Sequence, residues 1–359
     1  NKLMLTAQIL EAFSQRISWS TMKVILKICD LPVGRGWEQT IKKLTDEESI
    51  QDDINDKIEH LKKSYENHLL VNDKALKIYQ VERKKIDKLI AGFKKYKPSA
   101  TLFQETYPFP LSDDRLKGID FSQKLVEIRD TEDSLAVIFC TKRLFTERSQ
   151  IDTEQLNEDT RKNLIEYDKI IGIKEHYRQF FDVVVLSKKQ NTIEVRVDIA
   201  GGLSLEDKSK AFFQTIQQFN MLSEDIARIK TPLQESINFF PLIDNLYESD
   251  EGKVVELAFI TDEGSTKSEK MRKGSVDLRT ETYHHAGKQD VDHINSYRLE
   301  NSLNIQIYKE INSQPELLLP GRAQILSSQI QYLDEVCILN SSSLDEYKFV
   351  VEKIFTYLE

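Results

Sequence analysis

The sequence predicts an α+β protein: an all-helical N-terminal part followed by a mostly antiparallel β body with packed helices. In roughly the first hundred residues, apolar positions recur every three or four residues, which is the spacing of amphipathic helices. After about residue 119, short apolar runs flank polar turns and predict two hairpins, 124–130 with 134–140 and 180–187 with 192–199. Few helix-sized connections separate these runs, which indicates an antiparallel sheet.

The bulk composition is typical of a soluble globular chain. Its 359 residues are enough for two or three domains, and 40% of them are hydrophobic and 30% charged. No apolar run approaches the roughly 18 to 20 residues of a membrane helix, and nothing near Asn1 has the pattern of a secretory signal. Three cysteines lie far apart among apolar residues, as buried reduced thiols do: Cys29, Cys140 and Cys337. We therefore expect a cytoplasmic protein without membrane contact.

Residues 1–45 predict a small helical bundle. Apolar residues recur at helical spacing in 5–13 and 22–29, and Ser18 or Ser20 could cap the second helix. Three short helices with tight turns are typical of a helix-turn-helix DNA-binding unit or of a protein-docking module. A protein-docking or purely structural bundle is favoured over DNA binding. The third helix is predicted over 37–44. The polar groups available for base contacts in it or just before it are Arg35, Gln39, Lys42 and Lys43.

Residues 46–97 predict a long basic amphipathic helix or a helical hairpin, with the seam of a coiled coil. Nine basic and only two acidic residues fall between 74 and 97. Four lysines at offsets of seven, four and seven would share one face of such a helix: Lys77, Lys84, Lys88 and Lys95. This imbalance makes a phosphate-backbone contact and a merely solvated face equal alternatives.

The rest of the chain divides at prolines and turns. Pro98 ends the helical part, and residues 98–118 are predicted to be a linker. A mixed, strand-rich α+β domain then covers 119–359, with a candidate sub-boundary near 224–250. Within it, a helix is expected to begin at Ser204, because an acidic residue three positions later completes a capping-box pattern.

The stretch 252–293 is strongly basic for a chain of net charge −9. Between 267 and 288, six basic residues accompany three acidic ones, and the six complete the predicted phosphate contacts: Lys267, Lys270, Arg272, Lys273, Arg279 and Lys288. The same stretch holds the weak candidates for a metal site: His284, His285, Asp290 and His293, with Asp292, Asp277 and Glu281 nearby. Imidazole and carboxylate can bind zinc or exchange protons near neutral pH, although this spacing fits no standard motif.

Known catalytic signatures are missing from the sequence. The patterns G-x-S-x-G, H-E-x-x-H and C-x-x-C do not occur. We therefore predict a binding protein rather than an enzyme, with no cofactor.

Two separated basic features in an acidic chain predict a non-catalytic nucleic-acid-binding accessory or adaptor subunit that contacts the phosphate backbone, of DNA more than of RNA. A small helical head, a basic helical strut and a strand-rich body resemble the accessory subunits of prokaryotic nucleic-acid-handling or antiviral defence systems, which implies a bacterial multi-protein assembly. One alternative is a metal-dependent hydrolase or nuclease that uses the His/Asp cluster of 277–293. The other is a protein–protein scaffold that binds a partner or self-associates through residues 1–97, with the contacts Leu61, Leu69, Leu76 and Ile86.

Overall fold

The computed structural model describes residues 2–46, 54–152, 154, 156–272, 276–291 and 293–358. Over these residues the chain forms twelve α-helices. They are α1 (Lys2–Ser14), α2 (Trp19–Ile28), α3 (Trp37–Thr45), α4 (Ile54–Val71), α5 (Arg83–Phe93), α6 (Leu102–Thr106), α7 (Asp113–Lys117), α8 (Glu158–Asn163), α9 (Leu205–Ala227), α10 (Pro241–Glu248), α11 (Thr282–Gln289) and α12 (Leu344–Leu358). In this part of the chain no helix combines the length and apolar character needed to cross a membrane.

The same residues form thirteen β-strands. They are β1 (Lys74–Gln80), β2 (Lys124–Asp130), β3 (Ser134–Gln150), β4 (Ile171–Ser187), β5 (Thr192–Asp198), β6 (Glu235–Ser236), β7 (Lys253–Thr261), β8 (Thr266–Lys270), β9 (Ile294–Ser302), β10 (Ile305–Tyr308), β11 (Ile311–Ser313), β12 (Glu316–Leu319) and β13 (Val336–Leu339). Eleven strands share one antiparallel sheet in the order β2-β3-β4-β5-β1-β13-β12-β9-β7-β8, with β6 beside β1. Strands β10 and β11 form a separate hairpin.

The protein is therefore α+β, as predicted: N-terminal helices precede a mostly β body built on a large antiparallel sheet. Both predicted hairpins are present, as β2–β3 and β4–β5. The three short N-terminal helices are present too, and Ser18 caps α2 by accepting a hydrogen bond from the Thr21 amide at 3.4 Å. Ser204 caps α9 in the same way, with the Asp207 amide at 3.0 Å.

The prediction of one long helix or hairpin over 46–97 is wrong, because β1 lies in the middle of it. This strand is central in the sheet: it pairs with β5 along one edge and with β13 and β6 along the other. Both of its faces are covered, so its apolar side chains do not alternate with polar ones as in a half-exposed strand. The four lysines consequently do not share a helical face. Lys77 lies on β1, Lys84 and Lys88 lie on α5, and Lys95 follows α5.

Helices cover the two faces of the sheet unequally. On the first face, a core unites residues of α1–α4, α6, α7, α10 and α12 with the strands. On the second face, α5 and α9 pack on β1–β5 and β13. The predicted linker belongs to the first core, since Phe103 of α6 and Leu116 of α7 are buried in it.

The side chains proposed for self-association are not available for it. All four are fully buried in the two cores: Leu61, Leu69, Leu76 and Ile86. The apolar periodicity from which they were selected comes from core packing, so contact with a partner through these residues is excluded by their burial.

Strands β3 and β4 extend well beyond the sheet. Each has 17 residues. Strand β2 pairs with β3 only up to Cys140, and β5 pairs with β4 only from Val183 onward. The last eight residue pairs of the β3–β4 ladder, 143–150 with 171–178, form a two-stranded ribbon that we call the arm.

Candidate functional site

Two of the predicted phosphate contacts on strands are held by carboxylates. The Nζ of Lys77 lies 2.5 Å from Asp334 and 4.9 Å from the centre of the Phe212 ring, with 17% of the side chain exposed. The Nζ of Lys270 lies 2.9 Å from Glu256. Hydrogen bonding to this glutamate raises the pKa of Lys270. Both cations are neutralised by carboxylates of this chain.

Two further predicted contacts are also neutralised. Arg279 forms a double hydrogen bond with Asp277, with the shortest distance 2.7 Å, and its guanidinium also donates to backbone carbonyls of the 246–252 segment. Lys288 lies 3.1 Å from Glu248 and 4.3 Å from the centre of the Tyr247 ring. Arg279 therefore connects the segment that precedes β7 with the turn at Asp277, which is a structural role.

Three of the predicted phosphate contacts lie on α5 or just after it. Lys84, Lys88 and Lys95 are exposed, and none of them forms an ion pair with a described residue. Lys97, which the sequence analysis did not select, is a further exposed cation just beyond them. Residues 84, 88 and 95 are four and seven positions apart, so they follow one side of the helix and its extension. We call Lys84, Lys88 and Lys95 the α5 row.

The second basic feature lies elsewhere on the fold. Lys267 and Arg272 are exposed and unpaired among the described residues, whereas Lys273 lies outside them. Lys267 stands opposite Phe259 across the β7–β8 ladder. Cross-strand partners share a face, and Phe259 belongs to the first core. Lys267 is thus on the first face and α5 on the second, so the two features do not form one continuous track.

The candidate metal ligands are not brought together. His284 and His285 lie on α11, where His285 is exposed and 3.0 Å from Gln289. Asp290 and His293 are also exposed. In the described part of the chain, which does not include Asp292, no three His, Cys, Asp or Glu side chains converge in a way that could hold a metal ion. Among the described candidate ligands, His284 is the buried one.

His284 forms instead the centre of a buried hydrogen-bonded chain. Its Nδ1 contacts the Glu269 carboxylate, and its Nε2 lies 2.8 Å from the Tyr247 hydroxyl. An ionised carboxylate only accepts hydrogen bonds, so Nδ1 carries a proton, and in the neutral ring Nε2 accepts from Tyr247. Burial raises the pKa of Tyr247. Both ring nitrogens are occupied, which leaves neither for a metal or a substrate beside the adjoining cavity of about 410 Å³.

A groove crosses the first face between α4 and α12. It consists of two adjoining cavities of about 850 and 750 Å³ that share Ser134, Val185 and Arg196 in their walls. Charges of both signs line it, among them Lys62, Lys63, Arg129, Lys189, Glu59, Glu66, Asp130 and Asp133. Mixed charges give the groove no net attraction for a polyanion.

An ionic cluster is buried where β5 ends and β4 continues into the arm. Asp198, which is fully buried, accepts hydrogen bonds from Arg16 at 2.7 Å and from the Phe181 amide at 2.9 Å. The second bond replaces a ladder bond that β4 loses when β5 ends. Burial alone would raise the pKa of Asp198, but Arg16 and Lys74 hold it below its ordinary value.

Lys74 and Asp182 complete the cluster. The Nζ of Lys74 donates to the Phe181 carbonyl at 2.6 Å, and burial lowers its pKa to about 8 even though Asp198 lies 3.9 Å away. Asp182 accepts from the Asp198 amide at 2.9 Å and forms an ion pair with Arg143, the first residue of the arm. The cluster therefore fixes the backbone at the base of the arm.

The sequence analysis missed this cluster, although the sequence contains a signal. Asp182 interrupts the apolar run of β4, and Lys74 begins an apolar strand. A charge inside such a run costs folding free energy unless it is paired, so it points to a buried partner. The Arg16 partner lies in the turn after α1, 182 positions away in the chain, which no local pattern reveals.

Comparison with known proteins gives no relative: no protein-family model and no curated protein matches this sequence.

Proposed function

We propose that this protein is a non-catalytic nucleic-acid-binding subunit that contacts the phosphate backbone through the α5 row. The observation that supports the proposal is that Lys84, Lys88 and Lys95 are exposed without an acidic partner among the described residues. Carboxylates neutralise four other predicted contacts, Lys77, Lys270, Arg279 and Lys288. Lys267 and Arg272 are also unpaired, and the second control below tests them. A free lysine retains its full charge for a phosphate, whereas a paired one must first lose its partner.

The row suits a phosphate backbone in spacing as well as in charge. Lys84 and Lys88 are four residues apart on α5, which is about 6 Å along its axis, and phosphates along one nucleic-acid strand recur at a comparable scale. Such contacts position a polyanion without reading its sequence. The rest of the acidic surface repels other placements of the ligand.

The test is a titration of labelled duplex DNA, single-stranded DNA and RNA at low and at physiological salt. Each phosphate contact to duplex DNA contributes about −0.9 to the slope of log K against log salt. We expect weak, sequence-independent binding, stronger for DNA than for RNA. The triple variant K84E/K88E/K95E should lose most of this affinity and reduce the slope by roughly two to three.

A matched control reverses three exposed lysines of the N-terminal helices, in K23E/K27E/K63E. It changes the net charge equally, so it separates a local contact from the effect of overall charge. A second control, K267E/R272E, tests the feature on the first face. Absence of binding at low salt, or equal losses in the triple variant and its matched control, would refute the proposal.

A further inference from the structure

One face of the arm carries three large apolar side chains that the described part of the chain leaves exposed. Directly opposite residues of the ladder share a face, and on one face stand the pairs Leu144–Tyr177, Thr146–Glu175, Arg148–Ile173 and Gln150–Ile171. Leu144 is 48%, Ile171 60% and Ile173 62% exposed. We call this the apolar face of the arm.

Further exposed apolar side chains lie at the base of the arm and in its connection. At the base, Tyr177 packs edge-on against Phe121, with 5.6 Å between ring centroids, and Phe121 is itself 55% exposed. In the connection beyond the free end, Ile165 and Tyr167 are exposed. Of the sixteen large apolar side chains exposed in the described structure, six thus belong to the arm, its base or its connection. Exposed apolar side chains concentrated in this way mark an interaction site.

The arm also lacks partners along its edges. Over the eight pairs, neither strand has a second neighbour among the described strands. An isolated two-stranded ribbon is marginally stable in water, and unpaired strand edges favour association. The arm is therefore a segment whose stability increases when another surface covers it.

The charges on the apolar face identify the covering surface. Arg148 and Glu175 are the two charged residues of this face; both are exposed, and neither forms an ion pair within the described residues. In a dimer with two-fold symmetry, Arg148 of one copy can lie opposite Glu175 of the other, and the same pair then forms again on the other side of the axis. One cation and one anion on the same face therefore make that face complementary to a second copy of itself. We propose that the arm is a dimerisation surface, and that its occupant is the same face of a second copy of this chain.

The size of the surface agrees with a reversible dimer. Eight residues of extended strand cover about 27 Å, and the apolar face contributes eight residues from the two strands of the arm. Phe121, Ile165 and Tyr167 bring the surface to eleven residues, about half of the roughly 20 residues per side of a standard interface. The dimer should therefore dissociate on dilution.

The first experiment measures molar mass by light scattering over a dilution series of the full chain. We expect a dimer at high concentration and a monomer on dilution. The variant L144S/I171S/I173S removes the apolar contacts and should raise the dissociation constant by at least about 100-fold. Its matched control, L205S/M221S, removes two side chains of α9 that are exposed to a similar degree, 53% and 59%, and should dimerise like the wild type. Circular dichroism verifies that each variant is folded.

The second experiment tests the two-fold arrangement through its charges. R148E and E175R each place like charges against each other in a homodimer, so each should be monomeric at concentrations where the wild type is dimeric. Mixed in equal amounts, the two variants should form a heterodimer, because opposite charges then meet on both sides of the axis. An ion pair restored within one chain cannot produce this result, since each chain carries only one reversed charge.

Three outcomes would overturn the proposal. They are a wild type that stays monomeric at its highest soluble concentration, a dimer that survives L144S/I171S/I173S, and a dimer that requires added nucleic acid. A mixture of R148E and E175R that stays monomeric would overturn the two-fold arrangement in particular. Apart from the outcome with added nucleic acid, none of these results depends on the α5 row, because Lys84, Lys88 and Lys95 lie outside the arm.

Discussion

Asp198 shows how much a single buried carboxylate can organise in this protein. It accepts hydrogen bonds from Arg16, the Phe181 amide and the Ala200 amide, at 2.7, 2.9 and 3.1 Å. Removing an ion from water is costly, and only close partners of opposite charge and well-placed donors offset that cost. Here the donors include backbone amides that would otherwise be buried without partners.

The variant D198N tests this role. Its amide group would meet Arg16 and the Phe181 amide, so a donor would face donors and the buried cations would lose their counter-ion. We expect the free energy of unfolding to fall by about 3 to 5 kcal/mol, as measured by urea denaturation. K210Q, which breaks the exposed ion pair with Glu206, should leave stability unchanged. A D198N chain as stable as K210Q would show that the cluster does not stabilise the fold.

Strand β1 shows why sequence reasoning failed at one element while succeeding at its neighbours. Its apolar residues and those of α5 together imitate helical spacing, because a strand buried on both faces has no polar face to give it a period of two. By contrast, β5 alternates apolar and polar residues and was predicted within one residue of its end. The extension of β3 and β4 into the arm was missed because its polar residues resemble a loop.

The contact between α5 and α9 supports a prediction at the scale of elements. A Cβ at Gly92 would lie 2.6 Å from the Ile226 Cγ2, so alanine at this position would force the helices apart. Overpacking costs about 1 to 3 kcal/mol, more than the roughly 1 kcal/mol that alanine contributes to a helix over glycine. We therefore expect G92A to lower the urea midpoint.

Gly287 of α11 is the matched control, because no atom lies within 4 Å of a Cβ built there. G287A should raise the midpoint through helix propensity alone. The double variant G92A/I226A should be more stable than the sum of its single changes predicts, since the second change removes the clash. A stabilising G92A would show that α5 and α9 move apart freely.

For the whole molecule, the class of fold was predictable and the assembly of its parts was not. Hairpin spacing in the sequence predicted the antiparallel body, and caps such as Ser18 predicted helix starts. The order of the sheet depends on pairings between distant segments, such as β1 with β13, which no local pattern encodes. Of the predicted phosphate contacts, those of the α5 row have no acidic partner among the described residues. Lys77 and Lys288, by contrast, pair with acidic residues that only the fold brings near.

The charged part of the second face leads to a prediction about pH. Helices α5 and α9 cover the half of this face formed by β1–β5 and β13. On the other half, strands β7 and β9 carry charged side chains, including Glu256 and Glu300. There, burial and the nearby Glu300 raise the pKa of Glu316 from 4.5 to about 7. A raised pKa means that the folded state binds this proton more tightly, so the stability it contributes is present below 4.5 and is lost as the pH rises through about 7.

E316Q imitates the protonated carboxyl at all pH values. It should be more stable than the wild type at about pH 8 and equal to it near about pH 4, as measured by thermal unfolding at both values. E310Q, which changes an exposed glutamate, should follow the wild type at both. If E316Q and the wild type have the same pH dependence, Glu316 does not titrate differently in the folded state.

The two long strands also couple the arm mechanically to the middle of the sheet. A force on its free end is transmitted along the covalent backbones of β3 and β4 and loads the sheet in shear, so the ladder bonds between Ser134 and Lys142 resist together rather than opening one by one. The arm joins the sheet at the point where β5 ends, and Arg16 connects that point to the end of α1. A molecule that binds the arm and exerts force on it therefore loads the middle of the sheet and the N-terminal helices at the same time.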